Sequence, residues 1–301
     1  MDGVLVVDKP SGPTSHDIVG RARRALGLRR VGHTGTLDPF ATGVLPLCLG
    51  RATRLARFLA TGEKVYRATV RLGFATSTDD LTGEALSSPR DVRLEEEEVR
   101  RALRELVGVH DQLPPAYSAR RVKGRRLYEL ARRGEAVPRT ARPVTIFAVD
   151  LLGMDRDALD LEVRCSPGTY IRAMARDLGE ALGVGGHLSA LRRTRSGDFT
   201  LDRAVPGDTL EEGRDRLVPM GELLPRLPAV RVGPAGRDLV RHGRDVEGDV
   251  ISGELPASLI ERVRILDEAG ELLALAVPRA PSPPGAPPVA PVLHPDVVLI
   301  G

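Results

Sequence analysis

The run "GHTGTLDPFATGVLPLCLG", residues 32–50, holds one acid, Asp38, among four glycines, His33 and Pro39. A carboxylate on a stiff turn can serve as a nucleophile or a general base. A plain surface turn would use the same glycines and proline. Two tyrosines and an arginine could join Asp38. Tyr66 opens an alternating segment, and Tyr170 stands two residues before Arg172. A tyrosine ring can stack on a base, and an arginine fork can grip a carboxylate. That set suits an enzyme that unstacks a nucleotide and attacks it. Ordinary core filling by Tyr66 and helix-start packing by Tyr170 stand as the alternative.

Other chemistries find no support. There is no P-loop signature or dinucleotide fingerprint, and "GVGGH" at 183–187 follows a helical pattern rather than a strand. No Gly-x-Ser-x-Gly elbow occurs. Two cysteines, Cys48 and Cys165, make neither a disulfide framework nor a metal motif. His33 and Asp38 alone do not specify a metal.

The elements that must position these residues follow from their periodicity. "GVLVVDKPSG" predicts a buried strand ending in a turn, and Ile18, Ala22, Ala25 and Leu26 share a helix face that Gly27 can close. "RATRLARFLATG" predicts a short helix. "YRATVRLG" alternates as a half-buried strand with Tyr66, Ala68, Val70 and Leu72 on one side. A helix is expected through Val99, Ala102, Leu103, Leu106 and Val107, then strands at "VTIFAVDLLG" and "ALDLEVRC". "SPGT" should start a helix carrying Ile171, Met174, Ala175, Leu178 and Leu182. Strands and helices mix without a βαβ repeat, so the fold class is α+β. From about residue 228 the pattern becomes β-rich, with a hairpin at "RVRILDEAGELLALAV" turning at Asp267 to Gly270. The proline-rich 278–291 reads as an extended loop, and "VVLIG" as a returning last strand.

The chain has 301 residues, 28% charged, and a formal charge of +3. No apolar run is long enough to span a bilayer, and the first residues do not read as a signal peptide, so a cytoplasmic protein is expected. Residues 114–143 carry nine basic and two acidic residues, which suggests a phosphate-binding arm on a mildly acidic body. All but three of the 44 basic residues are arginine; the lysines are Lys9, Lys64 and Lys123. Asparagine is absent and glutamine occurs once, at Gln112.

The chain resembles the TruB family, the bacterial tRNA pseudouridine synthases, over nearly its whole length. The resemblance rests on "DKPSGPTS", "VGHTGTLDPFATGVLPLCLGRATR", "YRATVRLG", "TSTDDLTG", "PPAYSARRVKGRRLYELARRG", "CSPGTYIRAMARDLGEALG" and "HLSALRRTRSGDF". It implies a mixed-sheet catalytic domain at 1–227 with a basic thumb inserted at 114–143, and a PUA-type RNA-binding barrel at 228–301. It implies isomerisation of the T-loop uridine at tRNA position 55 to pseudouridine, by base flipping and without cofactor or metal. The implied partner is the tRNA T-stem-loop, and the protein would act as a monomer with no obligate protein partner. A role in tRNA folding is also implied.

The resemblance also assigns residues. Asp38 matches the catalytic aspartate and Arg172 its arginine partner. Tyr66 matches the ring that stacks on the target base; Tyr170 and Leu191 match positions lining the uridine pocket. His33 matches a histidine beside the flipped nucleotide. Lys9 and Asp80 are expected to support the site, Asp80 by ordering Arg172 or binding a polar edge. Arg120, Arg121, Lys123, Arg125 and Arg126 would grip RNA from the thumb. Gly35 and Gly43 are expected to free the Asp38 loop to turn. The C-terminal module is expected to add grip on RNA away from the chemistry.

Overall fold

The computed structural model describes residues 1–115, the backbone at 121–122 and 125–126, and residues 140–252, 262–279 and 292–300. Two sheets dominate. The first runs in the order β12-β1-β3-β10-β4-β9-β8-β5. Its strands are β1 (Gly3–Lys9), β3 (Thr42–Leu49), β4 (Lys64–Leu72), β5 (Gly108–Gln112), β8 (Arg142–Asp155), β9 (Ala158–Cys165), β10 (Gly186–Ser196) and β12 (Val205–Pro206). Short strands β2 (Val31–His33), β11 (Phe199–Thr200) and β13 (Val218–Pro219) attach to β3, β10 and β1. The backbone of β6 (Arg121–Val122) and β7 (Arg125–Arg126) pairs separately.

Most neighbours in the large sheet are antiparallel, but β10 runs parallel to β3, and β12 parallel to β1. The sheet is therefore mixed and the class α+β. At the junction of β3 and β10, Gly43 pairs with Arg193 and has φ +101°; a Cβ there would sit 2.2 Å from the Arg193 carbonyl oxygen. Only glycine permits this approach. Gly35 differs from expectation. It has no left-handed φ, and an added Cβ would make only an ordinary 3.6 Å contact with Arg193, so the turn does not need it.

The helices are α1 (Ser15–Leu26), α2 (Ala56–Leu59), α3 (Glu96–Glu105), α4 (Ile171–Ala181) and α5 (Pro234–Arg241). A capping box between Thr14 and Asp17 starts α1, and Gly27, left-handed at φ +70°, ends it. The segment expected as one short helix is a 3₁₀ turn at Gly50–Leu55 followed by the single turn of α2. In β4, Tyr66, Ala68, Val70 and Leu72 are buried, as the alternation predicts.

The uninterrupted apolar runs of β1 and β3 have a structural cause. Leu5, Val7, Leu45 and Leu47 face one core with Ile18 and Ala22 of α1. Val4, Val6, Val44 and Cys48 face the opposite way, into a second core. A strand buried on both faces has no polar alternation to show.

That second core is shared with the second sheet. Its order is β15-β14-β16-β17-β18, from β14 (Ala229–Val232), β15 (Ile251–Ser252), β16 (Val263–Asp267), β17 (Leu272–Pro278) and β18 (Leu293–Val298). Leu266, Leu272, Leu275, Val297 and Leu299 pack in the same cluster as Val4 and Val44. Polar ties reinforce the contact. Arg51 pairs with Asp2 and donates to the Leu299 carbonyl, and Arg54 donates to the Val298 carbonyl.

The module expected as a β-rich PUA-type barrel is, among the described residues, a five-stranded sheet. The path is open between β15 and β18, and one bridge, Val246 to Leu293, ties β18 to the segment before β15. The last strand also starts earlier than "VVLIG", because Leu293 to Val298 pair along β17. The expected turn at Asp267 to Gly270 is present, with Gly270 left-handed at φ +84°.

Candidate active site

The Asp38 loop joins β2 to β3 and is held from three sides. Lys9, at the end of β1 and fully buried, donates to the carbonyls of Pro10 (2.8 Å), Pro39 (3.0 Å) and Ala41 (2.7 Å). Ser15, the first residue of α1, accepts from the Leu37 amide (2.8 Å) and donates to the Leu37 carbonyl (3.1 Å). Buried Arg193 of β10 donates to the carbonyls of Gly35 (3.1 Å), Thr36 (3.5 Å) and Val44 (2.8 Å). The Gly12 amide adds a bond to the Pro39 carbonyl, 2.8 Å. Every tie grips backbone, so the carboxylate of Asp38 stays free for its own partner.

That partner is Arg172, on the first turn of α4. Its Nε donates to Asp38 Oδ2 at 2.9 Å and its Nη2 to Oδ1 at 3.1 Å, a two-pronged pair. The third nitrogen, Nη1, donates to the Thr78 carbonyl at 3.0 Å and lies 3.3 Å from Asp80 Oδ2. Asp80 is itself buried and saturated. Its Oδ1 accepts from the Thr78 hydroxyl (2.7 Å), the Thr82 hydroxyl (2.6 Å) and the Thr82 amide (2.9 Å). Arg172 is thus fixed between two carboxylates. The Asp38 side chain alone of the three keeps substantial exposure, 32% against 5% for each of the others.

Desolvation raises the pKa of Asp38, opposed by Arg172 and Lys9 and reinforced by Asp80. Burial lowers Lys9 to about 8, although the Asp38 charge pulls the other way. Asp38 therefore sits as a partly desolvated carboxylate whose charge depends on its two cationic neighbours.

Tyr66 of β4 stands opposite Arg193 in the β4–β10 register. Burial raises the pKa of its hydroxyl, the adjacent Arg193 lowers it, and the charge of Asp38 also reaches it. Leu191 lies two residues before Arg193 on β10, opposite Ala68, and packs in the same core as Tyr66. His33 ends β2; burial and Arg193 lower its pKa, which favours the neutral ring, and its Nδ1 is buried without a hydrogen-bond partner among the described residues. Tyr170, half-buried, is the N-cap residue of α4. Loop, strand and helix start thus bring Asp38, Arg172, Asp80, Lys9 and Tyr66 into one electrostatic neighbourhood. Tyr170 leads into Arg172, and Leu191 and His33 flank through Arg193.

The thumb residues are placed differently. Arg120 and Lys123 lie outside the described residues. For Arg121, Arg125 and Arg126 only the backbone of the β6–β7 pair is described. Three supports of the site were not singled out from the sequence: Arg193, Ser15 and the Thr78 carbonyl. Arg193 carried a usable signal, a charge on the same side of β10 as Leu191. Ser15 carried none, since it reads as an ordinary helix start. Among the described residues, no group of three or more His, Cys, Asp or Glu could hold a metal ion.

Residues 23–171 match the N-terminal domain of the TruB family pseudouridylate synthases, and residues 172–220 match a tRNA pseudouridylate synthase B C-terminal domain. A protein of Solibacter usitatus named tRNA pseudouridine synthase B is 43% identical, over 99% of this chain and 100% of its own. A Thermobifida fusca protein of the same name is 45% identical over 93% and 96%. Among solved structures, a chain of a Cbf5-Nop10-Gar1 complex is 28% identical with a TM-score of 0.74, over 99% of this chain and 85% of that one. A chain of an H/ACA RNP bound to a substrate RNA containing 2′-deoxyuridine gives 26% and 0.73, over 99% and 85%. With its fold, its paired Asp38 and Arg172, and these relatives taken together, the chain belongs to the TruB family of pseudouridylate synthases.

Proposed function

We propose that this chain isomerises the uridine at position 55, in the T-loop of tRNA, to pseudouridine, with Asp38 as the catalytic carboxylate. The observation that carries the reading is the two-pronged Arg172–Asp38 pair, which leaves one partly exposed carboxylate on an otherwise clamped loop. Relatives named tRNA pseudouridine synthase B support the choice of substrate.

The reaction conserves atoms. The bond from the sugar C1′ to base N1 breaks, the base turns, and a bond from C1′ to C5 forms. C5 loses its proton and N1 gains one. No oxidant, reductant or further reactant enters this balance. Asp38 acts as a nucleophile, at the base or at C1′, and both routes need it ionised. Arg172 keeps the charge in place against desolvation, and Asp80 in turn orders Arg172. Reaching the glycosidic bond requires flipping the nucleotide, which costs a few kcal/mol of stacking. Tyr66 stacks on the flipped base, Tyr170 and Leu191 line its pocket, and His33 stands beside it.

In the same reading, residues 1–227 are the catalytic domain and 228–301 a PUA-type RNA-binding domain. The basic segment 114–143 is a thumb that grips the T-stem-loop. The protein acts as a cytoplasmic monomer and assists tRNA folding while bound; among the described residues no helix is long and apolar enough to cross a membrane.

The test incubates an unmodified tRNA transcript with this protein alone and maps pseudouridine along it. Conversion at position 55 by the wild type, and none by Asp38→Asn, is the expected result. Conversion elsewhere, or only with added RNA or protein, overturns the assignment.

A further inference from the structure

The chain's only glutamine is buried at the end of β5, and both ends of its side chain are engaged. Gln112 Oε1 accepts from the Tyr170 amide at 2.8 Å, and Gln112 Nε2 donates to the Tyr170 carbonyl at 3.1 Å. A single side chain thus grips the N-H and C=O of one residue. That residue is the N-cap of α4, which has no side-chain cap of its own, and Arg172 follows two positions later. An uncapped helix start is free to fray; here Gln112 does the holding from another strand.

A second tie runs alongside. Arg176, one turn beyond Arg172, donates to Asp79 Oδ2 at 3.0 Å and to the Leu113 carbonyl at 3.4 Å. Helix α4 therefore meets the loop holding Asp79 and Asp80 through two arginines, and the end of β5 through Gln112 and Leu113. Gln112 also pairs with Arg142 in the β5–β8 register, so it stands where the two stems of the 114–143 segment meet.

We infer that Gln112 is a positioning residue, which holds the Tyr170 peptide so that Arg172 meets Asp38 edge to edge. This rests on the reading of Asp38 and Arg172 given above. Both side-chain bonds of Gln112 go to backbone, so it acts on the reaction through the placement of Tyr170 and Arg172. Displacing a guanidinium by about 1 Å can cost roughly a hundredfold in rate.

The experiment compares wild type, Gln112→Leu, Gln112→Glu and Asp38→Asn in single-turnover pseudouridine formation, tRNA-binding titration and thermal unfolding. Gln112→Leu keeps the bulk and loses both bonds. Its single-turnover rate should fall about 10- to 100-fold, with affinity unchanged because phosphate contacts set it. Gln112→Glu keeps the acceptor and loses the donor, so its rate should fall between the two; it decides the matter by the same readings if the leucine variant does not fold. The acid limb of the pH–rate profile should also move upward, since a loosened Arg172 no longer holds the Asp38 proton off as well. A helix cap with no role in positioning would lower the unfolding temperature and leave rate and acid limb unmoved. That outcome, or a rate loss that merely tracks lost affinity, overturns the inference. Normal turnover in Asp38→Asn would instead remove the reading beneath it.

Discussion

Arg172 meets Asp38 with two nitrogens on two oxygens, 2.9 and 3.1 Å apart, while its remaining nitrogen is occupied by Thr78 and Asp80. Each nitrogen of the arginine is already engaged within the protein. Its effect on the reaction is therefore exerted on Asp38, and Asp38 is the only member of the trio that substrate can reach well. From that asymmetry the expected behaviour of variants follows.

Asp38→Asn keeps the shape of the side chain and removes its charge and nucleophilicity. Turnover should fall by many orders of magnitude, since the lost interaction belongs to the chemical step. tRNA affinity should hold or tighten, because phosphate contacts dominate it and a negative charge has gone. A single-turnover assay and a binding titration on one folded sample check this. Near-normal turnover would sink the nucleophile assignment.

Asp80→Asn and Arg172→Lys should separate orientation from charge. Arg172→Lys keeps a cation but loses the fork, and buried groups on both sides lose partners. Because the charge is kept and mainly the two-pronged geometry and the bond to Thr78 are lost, the fall in Tm read by differential scanning calorimetry should be clear but short of the roughly 3–5 kcal/mol lost when one partner of a buried pair is removed outright. Asp80→Asn keeps most of its hydrogen bonds with Thr78 and Thr82, so its loss of stability should be smaller. It should still slow turnover by letting Arg172 drift. Equal destabilisation by both variants would contradict this ranking.

Asp38 and Lys9 predict opposite pH signatures for activity and stability. The folded pKa of Asp38 is raised above 3.8, so between those values the folded chain binds the extra proton. This group's contribution to stability therefore grows as pH falls, while activity, which needs the anion, is lost. Lys9 is lowered from 10.5 to about 8, so the unfolded chain holds the extra proton between them. Its contribution to stability rises with pH across that window. Above pH about 8, however, the neutral amine can donate to only two of its three carbonyls, and turnover should decline. Rates and thermal melts measured across pH on the same sample test both limbs. An activity limb that coincides with melting would show unfolding instead.

The C-terminal sheet should matter to the catalytic sheet, beyond the RNA grip expected of it. Removing residues 228–301 strips the cover from Val4, Val6, Val44 and Cys48 on β1 and β3, the strand that continues the Asp38 loop. Leu275→Ala, a smaller insult to the same core, should cost about 2–5 kcal/mol. Chemical denaturation of this variant, and of the truncated chain, gives the measurement. A truncated chain as stable as the whole would contradict the shared core.

Neutralising Arg120, Arg121, Lys123, Arg125 and Arg126 should weaken tRNA binding and flatten its salt dependence. Every phosphate that the protein no longer neutralises should lower the log–log slope by about 0.7 to 0.9. An unchanged slope would place the RNA footprint elsewhere.

The sequence by itself determined the strands and helices that carry the site. Alternation at Tyr66 to Leu72 and the helical face from Ile171 are local patterns, written in residues close along the chain. It also singled out Asp38, Tyr66, Tyr170 and Arg172, because motif spacing preserves such residues in recognisable order. Contacts between distant residues have no local pattern: the pairing of Arg172 with Asp38, 134 positions away, was expected through the family resemblance alone, and the hold of Arg193 on the Gly35 carbonyl, 158 positions away, was not expected at all. Lys9 was expected at the site through the resemblance, but Ser15 looks like an ordinary helix start until the loop folds back over it. Gln112 stood out in the sequence only as the single glutamine; its hold on Tyr170 depends on where β5 places it. The double-faced burial of β1 and β3 was likewise decided only in three dimensions. Periodicity reports which face of an element is apolar; which other element covers that face depends on packing between segments far apart in sequence.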